Sequence, residues 1–152
     1  MAKFQFRLEP MKKYRENRLL MGRKDLARLE NQLADLTARK KHLEQQRSDL
    51  VQEVRAIEHS WADAHLAAEL VPLQETRIAG VVREMKFLED EIERQRRWVA
   101  QLGQELRVVE KLEQKQKEAF EAEQVLKEKR RLDGWVAERW RPTPDDSGEV
   151  VE

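Results

Sequence analysis

From Leu26 onward the apolar residues of this chain recur at alternating spacings of three and four. That repeat lays one narrow stripe along an α-helix. With Leu26 at a, the a positions continue through Leu33, Lys40, Arg47, Val54 and Trp61, and the d positions are Leu29, Leu36, Leu43, Leu50, Ile57 and Ala64. Ten of these twelve are apolar, enough to predict a long helix. A second run places Ile78, Met85, Ile92, Val99, Leu106, Glu113 and Phe120 at a, with Val81, Leu88, Gln95, Leu102, Val109 and Gln116 at d. The runs are out of phase, because Val71 falls at d in the first and at a in the second. A break must separate them, and Pro72 stands at that point. Proline is accommodated best in the first turn of a helix. The pattern therefore predicts helix one over about 10–70 and helix two over about 72–133 or slightly beyond.

Two long helices joined by a short connection fold antiparallel, so an a position of one faces a d position of the other. Layers whose residue numbers sum to 142 run from Ala64–Ile78 to Leu33–Val109, and eight of the ten are wholly apolar. Arg47 meets Gln95 in the one doubly polar layer, a pairing that can fix register. The predicted fold is all-α: an intramolecular antiparallel coiled-coil hairpin over 1–141, followed by a disordered acidic tail over 142–152. Pro10 suits the first turn of helix one, and Gly134 weakens helix two before Pro142 ends it. In this alignment Leu29 faces Glu113 and Leu26 faces Gln116, which leaves the seam weakest toward the two termini.

Composition supports an extended shape. Charged residues are 39% of the chain and aromatics 6%, too few apolar groups for a globular interior. Thirty basic residues balance thirty acidic ones, which argues against nucleic acid, where phosphate neutralisation needs a basic excess. The charge is uneven, however. Residues 1–30 hold nine basic and four acidic groups, 111–142 nine and seven, and the last ten residues four acids and no base. There is no cysteine to form a disulfide or bind a metal as thiolate. No apolar run is long enough for a membrane span, and the first residues lack a signal-peptide core, so a cytoplasmic location is expected.

Catalytic, cofactor-binding and metal-binding residues are not expected. Gly22-Arg23-Lys24 lacks the glycine pair and the hydroxyl residue of a phosphate loop. His59 and His65 are six apart, off the spacing that brings two ligands to one helical face, and His42 is more distant. The many glutamates read as solvated charge paired with Lys and Arg along the helices. Large apolar groups do stand where the seam does not use them. Leu66, Leu70, Val71 and Leu73 lie near the expected tip. Met11, Tyr14, Leu19, Leu20, Met21, Leu126, Trp135, Val136 and Trp140 lie near the termini. Apolar anchors of this kind belong to protein interfaces.

The opening Phe4-x-Phe6-x-Leu8-Glu9-Pro10, leading into a basic helix with Arg15-Glu16, resembles the start of the FliJ family of flagellar export proteins. The Leu-rich first helix and the stretch from Leu112-Glu113-Gln114-Lys115 to Leu132-Asp133 agree, so the likeness covers roughly residues 3–133. Lys12 departs from the aliphatic residue expected there, and the stretch from Trp135 to Trp140 is peculiar to this chain. The resemblance implies a non-catalytic cytoplasmic component of the type III export apparatus, at the inner-membrane face and held to the membrane only through partners. It implies a stalk in the hexameric export ATPase and an adaptor to the cytoplasmic domain of the export gate and to export chaperones. Phe4, Phe6, Leu8, Lys12, Lys13, Arg15, Arg18, Lys129, Arg130 and Arg131 are then the expected ATPase contact. Leu66, Leu70, Val71 and Leu73 are the expected export-gate contact. The stalk protein of a virulence secretion system would share this architecture. A generic coiled-coil scaffold or homodimer is the reading from a different class.

Overall fold

A computed structural model describes residues 2–56 and 61–140 of the 152-residue chain. Two helices account for nearly all of them, α1 over Glu9–Ala56 and α2 over Trp61–Arg139. They pack against each other as an antiparallel coiled-coil hairpin, and no strand occurs among the described residues. Contacts divide the chain into two units, one of Met1–Lys12 with Arg107–Glu152, the other of Lys13–Leu106.

α1 begins where proline chemistry places it, with Pro10 in the first turn. The Glu9 amide donates to the Phe6 carbonyl at 3.2 Å and the Lys12 amide to the Leu8 carbonyl at 3.0 Å. The other boundaries differ from the sequence expectation. α1 stops at Ala56, not near Leu70, and α2 begins at Trp61 with Pro72 inside it. The second heptad explains why. Carried upstream past Pro72 it places Val71 at a and Gln74 and Ala67 at d. Ala67 and Gln74 are both buried, at 8% exposure, and Val71 is partly buried. Trp61, assigned to the seam of helix one, is 83% exposed. Both repeats fit the stretch between, and α2's repeat governs it. Pro72 occupies a b position on the solvent side, where the missing amide leaves the Ala68 carbonyl without its helical donor.

The register moves with the turn. In the Lys13–Leu106 unit, Arg15 bonds to Glu105, Gln46 to Gln74 and Arg47 to Glu75, pairs whose numbers sum to 120, 120 and 122. The expected alignment, summing to 142, is thus displaced by about three heptads, and the faces assigned to a and d survive because whole heptads preserve phase. Leu19, Leu102 and Leu106 form a buried cluster with Val99 packed on it, and Leu102 keeps only 3% of its surface. The seam is therefore well buried near the start of α1, where weakening was expected. In the observed register Leu29 stands opposite Ile92 and Leu26 opposite Gln95, and neither meets Glu113 or Gln116. The polar layer also shifts. Arg47 pairs with Glu75 at 2.8 Å beside the buried Gln74, which donates to Gln46 at 3.0 Å.

α2 continues through Gly134 to Arg139, and the Trp140 amide still donates to the Val136 carbonyl at 3.0 Å. That is past the expected end near 133. The expected tail at 142–152 lies outside the described residues.

Candidate partner-binding surfaces

Extending the first heptad upstream decides the fate of the N-terminal basic residues. Leu19 falls at a, Gly22 and Arg15 at d, Lys12 at a and Leu8 at d. Lys12 and Arg15 are thus seam residues whose long stems cover apolar surface while their heads reach polar atoms. The Lys12 ammonium meets the Glu113 carboxylate at 2.7 Å, both partly buried. The Arg15 guanidinium donates to the Glu105 carbonyl at 2.8 Å. Arg18, one place before the seam, lies 5.3 Å from the Trp98 ring centroid and 5.8 Å from that of Tyr14, within cation–π range. Three of the seven cations expected to line an ATPase contact are therefore engaged within the fold. Lys13 remains exposed.

The apolar residues at the start of the chain are also partly used. Phe6 is buried, Leu8 is half-buried, and Phe4 packs on Phe120 with ring centroids 5.6 Å apart. Together with the Lys12–Glu113 pair, these contacts fasten the segment before α1 to α2.

Lys129, Arg130 and Arg131 are exposed on α2. Arg131 reaches Glu128 at 2.9 Å, while Lys129 and Arg130 make no ion pair among the described residues. From Val125 to Trp140 every residue is exposed. Within the unit that holds them, these three cations therefore sit on a helix end that no second helix covers. Lys127 and Glu123 are 2.7 Å apart on the same stretch, and that ammonium holds the Glu123 carboxyl below its ordinary pKa.

The expected export-gate residues divide in a similar way. Leu66, Leu70 and Leu73 are exposed, and their i, i+4, i+7 spacing brings them to one face of α2. Val71 faces the seam and is partly buried. All four lie in the early turns of α2 and not on either side of a loop at 71–72. Sequence reasoning missed Phe87, 62% exposed, which at 21 residues after Leu66 returns to nearly the same face. Its c position in the heptad was the available signal.

Gly22 is buried against α2, and Gln95 donates its side-chain amide to the Gly22 carbonyl at 3.1 Å. Sequence reasoning weighed this glycine only as part of a phosphate loop. His65 stacks on Trp61 and lies 3.2 Å from Glu69, and His42 lies 3.2 Å from Gln46. His59 lies outside the described residues. Among the described residues no group of three His, Cys, Asp or Glu side chains is placed to hold a metal ion, and no helix is long and apolar enough to cross a membrane. No protein-family model, no curated protein and no solved structure matches this chain.

Proposed function

We propose that the chain is a non-catalytic stalk and regulator of the hexameric ATPase of a type III protein export apparatus, flagellar by its resemblance. The observation that carries the reading is the helix end over 125–139, uncovered and rich in cations, on an antiparallel hairpin that opens with Phe4-x-Phe6-x-Leu8-Glu9-Pro10. A stalk needs a stiff rod and a charged end that a ring can grip. Lys129, Arg130 and Arg131 form the ring contact in this reading. Lys12, Arg15 and Arg18 are used by the fold itself. The face of Leu66, Leu70 and Leu73, extended by Phe87, is the surface for the export gate, and export chaperones are the remaining partners. The protein acts in the cytoplasm at the inner-membrane face.

The test is the hydrolysis rate of the export ATPase with and without the chain. Stimulation falls as salt rises from about 50 to 300 mM, because the screening length shrinks to several ångströms. Lys129→Glu with Arg130→Glu abolishes stimulation, whereas Arg83→Glu with Arg94→Glu leaves it intact. Equal losses from both pairs, or none from the first, would overturn the reading. A coiled-coil scaffold of another system would give no stimulation at all.

A further inference from the structure

Beyond Phe120 the seam positions of α2 lose their large apolar groups: Glu123, Lys127, Arg130, Gly134 and Ala137 occupy the places that face α1 in earlier heptads. A different apolar stripe takes over. Val125, Leu132, Trp135, Val136 and Trp140 are between 52 and 83% exposed. At 3.6 residues per turn they span an arc of roughly 140°, centred about 130° round the helix from Phe120. The stripe therefore points away from the seam and serves something other than α1.

Its width and its charges select the occupant. A coiled-coil seam is narrower than this arc. A second copy of the chain would also have to bury Glu128 and Lys129, which stand between Val125 and Leu132. A lipid headgroup layer imposes neither condition, since a lysine stem can lie along the apolar face with its ammonium in water. Glu128 is paired with Arg131 at 2.9 Å. Tryptophans flank the arc on both sides, and Trp135 carries the Arg139 guanidinium 4.5 Å from its ring centroid. That pairing of aromatic and cation suits the boundary between headgroups and acyl chains. Residues 125–140 hold five cations against three acids, which favours an anionic surface. Asp145, Asp146, Glu149 and Glu152, farther along the chain, oppose the attraction, so the apolar stripe supplies the larger share.

We infer that residues 125–140 dock on anionic lipid, lying in the plane of the headgroups with Trp135 and Trp140 at the edges of the buried face. This contact goes beyond attachment through protein partners and competes with the ring contact for Lys129 and Arg130, so it is tested on lipid in the absence of the ATPase. The experiment is co-sedimentation of the full chain with vesicles of phosphatidylglycerol and phosphatidylcholine in equal parts, beside vesicles of phosphatidylcholine alone. The wild type sediments with the mixed vesicles, and salt weakens the binding without abolishing it. Trp135→Ser with Trp140→Ser weakens binding at least about tenfold, and so does Lys129→Glu with Arg130→Glu. Val108→Ser, which removes an exposed apolar group elsewhere on α2, changes nothing. Circular dichroism shows that each variant keeps its helices. Binding equal on both vesicle types, or undiminished in the tryptophan variant, overturns the inference. So does a lipid-free dimer that the tryptophan variant dissociates, which would assign the stripe to a second copy.

Discussion

Gln95 donates its side-chain amide to the backbone carbonyl of Gly22 across the seam, at 3.1 Å. The bond is possible because α1 presents no side chain there. A Cβ on Gly22 would stand 3.3 Å from both Leu102 Cδ1 and Val99 Cγ2, tighter than ordinary packing. Gly80 has nothing within 4 Å of the corresponding point. Ala in place of Gly in a helix gains about 0.5–1 kcal/mol where space is free. Gly80→Ala should therefore raise the thermal midpoint and Gly22→Ala should not. Gly22→Val should cost about 1–3 kcal/mol by overpacking. Calorimetry on the three variants checks this, and a stabilised Gly22→Val would show that the helices do not approach closely here.

Register gives a second prediction. Cysteines at Leu43 and Ile78, or at Leu29 and Ile92, occupy opposed seam positions in the observed alignment and should form a disulfide within one chain under mild oxidation. Cysteines at Leu50 and Ile92, opposed in the alignment that sums to 142, should not. Non-reducing electrophoresis at low protein concentration separates intramolecular from intermolecular products. The reverse pattern would restore a turn near Val71.

The faces of both helices were legible in the sequence because a heptad repeat encodes direction around the helix axis. Position along the axis was not. Every shift by a whole heptad keeps a against d, so layer counting discriminates weakly, and the 142 alignment scored well while being wrong. The deciding signal was local. Ser60-x-x-Asp63 is a helix-start pattern, and Asp63 lies in the first turn of α2. The expected boundary rested on Pro72 alone. The same oversight affected the candidate site. Extending the first heptad above Leu26 puts Lys12 and Arg15 in the seam, but a charge count sees only cations.

That difference is itself measurable. Arg15→Glu would place a carboxylate beside the Glu105 carbonyl and remove a bond made at a seam position. A destabilisation of about 1–3 kcal/mol is expected, the range for stranding a partly buried polar partner. Arg130→Glu alters an exposed side chain and should stay within about 0.5 kcal/mol. Urea denaturation followed by circular dichroism distinguishes them. Equal stability would mean that Arg15 is not held by the fold.

Pro72 offers the sharpest test of where α2 begins. In the observed helix it follows eleven helical residues, starting at Trp61, so its ring and missing amide act on an established helix. A proline in a helix interior costs roughly 3 kcal/mol relative to alanine. Part of that cost is recovered here, because the residue faces solvent, where water can bond to the Ala68 carbonyl. Pro72→Ala should therefore stabilise the hairpin, by about 1–3 kcal/mol, and slow amide exchange at residues 68–76. A helix that started at Pro72 would respond differently, because proline in a first turn is already pre-organised and its missing donor is one the helix never used. Replacement by alanine would then leave stability unchanged or slightly lower. An unchanged midpoint together with fast exchange upstream of residue 72 would therefore place the start of α2 at the proline.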